Sequence, residues 1–201
     1  MGRQVGAVIL RDDCQTLDDL DELASLRGEF RLREGEIYLD GNSLGPVSEA
    51  SSRRVNEVID NEWAKGLVRS WNSAGWMAEP TRLGDKLAPL IGARPGEVLV
   101  ADTLTFLLAK LIGGALELRT DRHVVITDRA NFHSDLYIVE AMAARAGRSV
   151  TVKAINRDTL DEFLDDDVAL VMLTHVDYRT GEMLDMAGIT QKVHDLSLIH
   201  I

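Results

Sequence analysis

The chain has 201 residues, 45% of them hydrophobic, with a formal net charge of −11. That apolar fraction supports a packed core and excludes wholesale disorder, while the acidic balance argues against nucleic acid or an anionic membrane as a partner. Cys14 is the single cysteine, so no internal disulfide is expected and a reducing cytoplasm is the expected location. No apolar run approaches the length of a membrane span, and the start, followed by Arg11-Asp12-Asp13, is not expected to be a signal peptide.

In chain order, Thr16-Leu17-Asp18-Asp19-Leu20 reads as a helix start. Thr16 can cap it, acids fill its first turn, and Leu17, Leu20, Leu23 and Leu26 form a stripe. Ile37-Tyr38-Leu39 is a short extended run that leads into the turn-rich Asp40-Gly41-Asn42-Ser43-Leu44-Gly45-Pro46. Val55, Val58, Ile59 and Trp63 predict an amphipathic helix from Ser48 to Trp63. A loop from Gly66 to Gly75 carries Trp71 and Asn72, and a further helix runs to about Ile91.

From Glu97 the pattern becomes alternating strand and helix. Strands are expected at Glu97–Ala101, His123–Thr127, Val150–Ile155 and Ala169–Leu173. Helices are expected at Thr105–Leu118, Asp135–Arg145 and Thr159–Leu164, with another beginning at Ile189. Repeated βα units imply an α/β fold with a mainly parallel sheet covered by helices on both faces. Ligands in such sheets bind beyond the carboxyl ends of the strands. Three loops lie there: 102–105, 128–135 and 174–177.

Each loop has a functional and an ordinary reading. At Asp102-Thr103-Leu104-Thr105, a strand-to-helix junction offers backbone N–H groups and a helix dipole to an anion; the ordinary reading makes Thr103 or Thr105 a cap. Phe132 can lie flat on a planar cofactor ring, with Asp135 one helical turn on, in reach of the ring's edge; equally, Phe132 can anchor the core and Asp135 be a first-turn acid. Thr174-His175-Val176-Asp177-Tyr178 follows a buried strand and is otherwise a polar loop. His175 and Asp177 lack further ligands at metal spacing, so no metal site is expected. Asn42 and Ser43 can donate to a carboxylate, or can serve a tight turn. No Gly-x-Gly-x-x-Gly, Walker or Gly-x-Ser-x-Gly motif occurs.

Taken in order, Ile37-Tyr38-Leu39-Asp40-Gly41-Asn42-Ser43-Leu44-Gly45, Arg69-Ser70-Trp71-Asn72, Val100-Ala101-Asp102-Thr103-Leu104-Thr105, Phe132-His133-Ser134-Asp135-Leu136-Tyr137 and Thr174-His175-Val176-Asp177-Tyr178-Arg179-Thr180-Gly181 resemble the kynureninases. These are pyridoxal phosphate (PLP) enzymes of the aspartate aminotransferase fold, fold type I. The resemblance runs from about Thr16 to Asp195. It implies that Leu104 and Thr105 bind the PLP phosphate, largely through the backbone. Phe132 then stacks on the pyridine ring, Asp135 pairs with its nitrogen, and Thr174 contacts the cofactor near the ring. Ser43, Asn42 and Trp71 resemble positions that line the substrate pocket, partly across a homodimer interface. Leu107 departs from the pattern, where relatives often carry Asn.

The resemblance further implies hydrolysis of L-kynurenine, or its 3-hydroxy form, to L-alanine and anthranilate or 3-hydroxyanthranilate, in tryptophan catabolism and NAD biosynthesis. It divides the chain into an arm and helical segment at 1–92 and the first half of the PLP-binding large domain at 93–195. The family's Schiff-base lysine is expected beyond Ile201, so this chain alone is expected to be an inactive N-terminal fragment with an incomplete fold type I large domain. Residues 196–201 depart from the family and can be encoded by a transposon end used in preparing sequencing libraries, so a non-native tail is expected there. Two other readings compete: another fold type I enzyme, such as a cysteine desulfurase or an aminotransferase, and a non-catalytic α/β binding module.

Overall fold

A computed structural model describes residues 9–196 and the backbone of 199–200. The chain forms two compact units that divide between Val98 and Leu99.

The first unit is helical and irregular. Helix α1 (Arg11–Asp19) begins earlier than the sequence predicts, because the Asp13 carboxylate accepts the Leu10 N–H at 2.9 Å and satisfies a first-turn donor. Thr16 does not cap; its hydroxyl donates to the Asp12 carbonyl at 2.8 Å inside the helix. The leucine stripe is split between α1 and a 3-10 turn at Ala24–Glu29, and all four leucines are exposed. Ile37-Tyr38-Leu39 forms no strand and has no ladder partner among the described residues. Arg31 makes a two-pronged ion pair with Glu49 at 2.7 and 2.8 Å, which ties this segment to helix α2 (Glu49–Glu57).

Ser48 caps α2, its hydroxyl accepting from the Ser51 N–H at 3.0 Å. The helix continues as a π-helical stretch at Val58–Gly66. The loop predicted for 66–75 is instead mostly helical, with a 3-10 turn at Leu67–Arg69 and a short helix α3 (Ser70–Ser73). The buried Ser70 hydroxyl explains it by donating to the Glu62 carbonyl at 2.6 Å. A Cβ at Gly66 would meet that hydroxyl at 1.9 Å, so only glycine fits there. Helix α4 (Glu79–Leu87) then runs through a 3-10 turn to Gly92, as the sequence predicts. Ala88 is the one buried apolar side chain among the described residues of this unit, so its apolar faces are largely open.

The second unit carries the core. Residues 97–101 are not the predicted strand: they have no ladder partner among the described residues, and Leu99 is exposed. Helix α5 (Leu104–Leu118) follows, then strand β1 (Val124–Asp128), helix α6 (His133–Arg145), strand β2 (Thr151–Ile155), a 3-10 turn at Arg157–Glu162, strand β3 (Val168–Met172), helix α7 (Met186–Asp195) and strand β4 (Ile199–His200). The sheet is parallel throughout in the order β2-β1-β3-β4. Of the tail expected to be non-native, residues 197, 198 and 201 lie outside the described residues.

Every residue of β1 and β3 is buried, which requires cover on both faces. Leu108, Ile112 and Leu116 of α5 and Val139 of α6 pack with Val125, Leu170 and Met172 on one face. Val193 of α7 and Leu160 pack with Val124, Ile126, Val168 and Val171 on the other. A register shift opposite Val124 and Val125 accommodates Ala169 as an extra residue in β3. The extra residue reverses the phase of alternation, so that Val168 faces α7 whereas Leu170 and Met172 face α5 and α6. At the sheet's amino end, the Arg148 guanidinium donates to the carbonyls of Leu116, Arg119 and Arg122, closing the end of α5.

Candidate functional site

Three loops of the second unit are candidates: one leads into α5, and two follow the carboxyl ends of β1 and β3, where a parallel sheet binds ligands. In the first, Asp102 holds a positive φ of 33° and pairs with Lys110. Thr103 is the extended N-cap residue of α5, but no side chain caps the helix. The capping alternative for Thr103 is therefore not realised. Leu104 and Thr105 are exposed in the first turn, whose N–H groups and dipole favour an anion.

The second loop joins β1 to α6. Asp128 shapes it by accepting the Ala130 N–H at 2.9 Å. Asn131 is buried, and its Oδ1 accepts from the Phe132 N–H at 2.8 Å and from the Thr174 hydroxyl at 2.6 Å. Phe132 is the N-cap residue of α6, with its ring half exposed rather than anchored in the core. The ring stands edge-on to Tyr178 at 5.2 Å and to His133 at 6.3 Å. Asp135 is buried in the first turn of α6 and accepts from the Ser134 hydroxyl at 3.1 Å.

The third loop, after β3, is closed by the bridge between Val176 and Met183. Inside it Asp177 accepts the N–H groups of Arg179 and Thr180 at 2.8 and 3.0 Å. Those backbone donors, helped by the Arg179 side chain, hold its carboxyl down at about 2 against the desolvation that opposes them. Arg157, just past β2, inserts its guanidinium between Asp128 and Asp177, with Nη2 at 2.5 and 2.8 Å from their Oδ2 atoms. All three side chains are at least nine-tenths buried.

The structure thus brings Phe132 and Thr174 together through Asn131, and sets Asp135 one turn behind Phe132. Asn131, Asp128 and Arg157 are functional candidates that sequence reasoning passed over, and Asp177, weighed there only as a metal ligand, is a fourth. Asp128 had a signal, since an acid closing a β-branched run is a rim residue; Arg157 had none. Ser43, Asn42 and Trp71 belong to the first unit. The Ser43 hydroxyl donates to Asp40 at 2.7 Å within a tight turn, so its turn role is realised. Asn42 is exposed in the same turn. Trp71 is half exposed and edge-on to Trp76 at 5.8 Å.

No family model matches the chain. It is 47% identical over 188 residues to the kynureninase of Burkholderia pseudomallei (strain 1106a), covering 91% of this chain and 45% of that one. The kynureninase of Pseudomonas fluorescens is 46% identical over 196 residues, covering 95% and 47%. The chain is similar to kynureninases. It spans a little under half the length of these relatives. Among solved structures, DndA from Streptomyces lividans superposes with a TM-score of 0.63 at 21% identity, over 77% of this chain and 45% of that one. The cysteine desulfurase CsdA from Escherichia coli gives 0.63 at 17% identity, over 90% and 48%. These likenesses show the fold, that of the fold type I PLP-dependent enzymes, which the kynureninase-like sequence predicts.

The residues present fit a phosphorylated, planar, cationic ring. The first turn of α5 has no side-chain cap and can receive a phosphate. The Phe132 ring has an open side, and Asp135 supplies a carboxylate. Thr127, in β1, also keeps a buried hydroxyl without a partner; by strand alternation from Val125 it shares the face covered by α5 and α6.

Proposed function

We propose that the protein containing this chain is a kynureninase. It would hydrolyse the Cβ–Cγ bond of L-kynurenine, or of 3-hydroxykynurenine, with water, giving L-alanine and anthranilate or 3-hydroxyanthranilate. The observation that carries this reading is identity of 46–47% to kynureninases, sustained over 91–95% of the chain. The cysteine desulfurase CsdA and the C-DES neighbour share the fold at 17–18% identity, well below the likeness to the kynureninases.

PLP, the proposed cofactor, supplies an electron sink for density released on the substrate when bound. The chain's own residues would bind and orient it. The N–H groups of Leu104 and Thr105 would hold the phosphate, with the helix dipole adding to their attraction. Phe132 would lie against the ring, and the Asp135 carboxylate would hold a proton on the ring nitrogen. Thr174 commits its hydroxyl proton to Asn131, leaving its oxygen lone pairs for a neighbouring donor. Ser43, Asn42 and Trp71 would face the substrate, partly across a homodimer interface. Residues 93–195 would be the first half of the PLP-binding domain and 1–92 an arm. The setting would be the cytoplasm, in tryptophan catabolism and NAD biosynthesis.

The test is to express the full-length gene and follow anthranilate fluorescence and alanine release from L-kynurenine, with L-cysteine as the rival substrate. Kynurenine turnover is expected. Release of alanine and sulfane sulfur from L-cysteine, the sulfur recovered as sulfide with added dithiothreitol as reductant, with L-kynurenine untouched, would overturn the reading in favour of a desulfurase.

A further inference from the structure

We infer that Arg157 is a positioning residue for the candidate site, acting through Asp128 and Asp177 to fix the spacing of the loops that carry Phe132 and Thr174. The inference rests on the proposed PLP site. Three strands contribute. Asp128 ends β1, Arg157 lies two residues past β2, and Asp177 sits in the loop after β3. One guanidinium nitrogen, Nη2, joins the two carboxylates at 2.5 and 2.8 Å. Each aspartate uses its other oxygen on its own loop: Asp128 Oδ1 holds the Ala130 N–H at 2.9 Å, and Asp177 Oδ1 holds those of Arg179 and Thr180 at 2.8 and 3.0 Å. The arginine therefore grips two carboxylates that each define a turn.

The consequences reach the site within a few residues. Asn131, which receives the Thr174 hydroxyl and the Phe132 N–H, lies three residues from Asp128. Tyr178, edge-on to Phe132 at 5.2 Å, lies next to Asp177. Removing the cation would leave Asp128 and Asp177 buried and facing one another, with the half-exposed Arg179 at 3.4 Å from Asp177 Oδ2 as a weaker partner, and would push both loops apart. Arg157 Nη1 is buried without a partner, so both ion pairs depend on a single nitrogen. A lysine ammonium can partly replace one nitrogen; a methionine of similar stem length cannot.

The experiment compares R157M and R157K in the full-length protein, with I112A as a core-destabilised control. Two readouts are taken: PLP affinity with the visible circular dichroism of bound PLP, and amide exchange of residues 129–132 and 174–180 without cofactor. R157M should weaken PLP by about tenfold or more, the scale seen when an orienting partner is lost, and speed exchange in both loops together. R157K should recover most of both effects, and I112A should change neither. Equal behaviour of R157M and R157K, or unchanged exchange in either loop, would overturn the inference. If R157M does not fold, D177N takes its place, and it should speed exchange at 129–132 although it is altered in the other loop; unchanged exchange there would equally overturn it. If the wild-type protein binds no PLP, the proposed function fails, while the exchange measurements still decide the role of Arg157.

Discussion

The Thr174 hydroxyl donates to Oδ1 of Asn131 at 2.6 Å, joining the loop after β3 to the loop after β1. The same oxygen accepts the Phe132 N–H, so one buried amide fixes both a hydroxyl and the start of α6. Truncation to alanine leaves two donors without their acceptor.

Asn131→Ala is therefore expected to destabilise the full-length protein by about 2 kcal/mol, the scale for unsatisfied buried donors. Urea unfolding measures it. Asn131→Asp keeps the acceptor and should cost less; equal losses for the two variants would show that the acceptor is not what matters.

Asp135 tests the ring-nitrogen assignment. Asp135→Asn should retain bound PLP while lowering kcat by about a hundredfold, because a neutral amide cannot stabilise a proton on the ring nitrogen. Steady-state kinetics with a PLP absorbance spectrum checks both halves. An unchanged kcat would assign the pairing role to another carboxylate.

Asp177 predicts an acid dependence. Its folded carboxyl sits at about 2, held down chiefly by the backbone N–H groups of Arg179 and Thr180, against an ordinary 3.8. A depressed folded value means that its contribution is complete above about pH 4 and fades as pH falls toward 2. Urea midpoints measured from pH 5 to pH 2 should fall through this window, and Asp177→Asn should flatten the fall. Parallel curves for the two proteins would refute the assignment.

Arg148 closes three carbonyls around the end of α5. Arg148→Met keeps most of the stem and removes the donors, so a loss of about 2 kcal/mol is expected. Because these carbonyls lie at the opposite end of the sheet, PLP affinity should not change. A thermal melt paired with a PLP titration separates the two effects.

Ala169 makes the sheet's register testable. It is the extra residue in β3, inserted between Val168, which faces α7, and Leu170, which faces α5 and α6. Deleting it should restore regular alternation, with Val168 still toward α7 and Leu170 and Met172 still toward α5 and α6, so cooperative unfolding of the second unit, as judged by circular dichroism, should survive; its loss would show that the extra residue itself is needed. Ala169→Gly keeps the extra residue and should fold.

The βα pattern of the second unit was legible because each strand is a short apolar run and each helix has its own periodicity; β1, β2, β3, α5 and α6 all lie within a few residues of their predicted bounds. Residues 97–101 were misread for the same reason. An apolar run specifies a strand only if a neighbour completes its ladder, and none does among the described residues. In the first unit, Thr16 lost its capping role to Asp13, and the 66–75 segment became helical through the Ser70 bond to Glu62, contacts that no local pattern announces.

The sequence by itself determined the chemistry available at the rim: a helix start that can receive an anion, an aromatic and a carboxylate one turn apart, and the ordered segments that resemble kynureninases. Local spacing is enough for that, since strand ends and first turns are set by nearby residues. Only the tertiary structure decided that Asn131 ties Thr174 to Phe132, that Ala169 shifts the phase of β3, and that Arg157 lies buried between Asp128 and Asp177. Thr174 lies 43 positions from Asn131, and Arg157 lies 29 from Asp128 and 20 from Asp177; Arg157 meets its partners only because parallel pairing brings the carboxyl ends of β1, β2 and β3 to one end of the sheet.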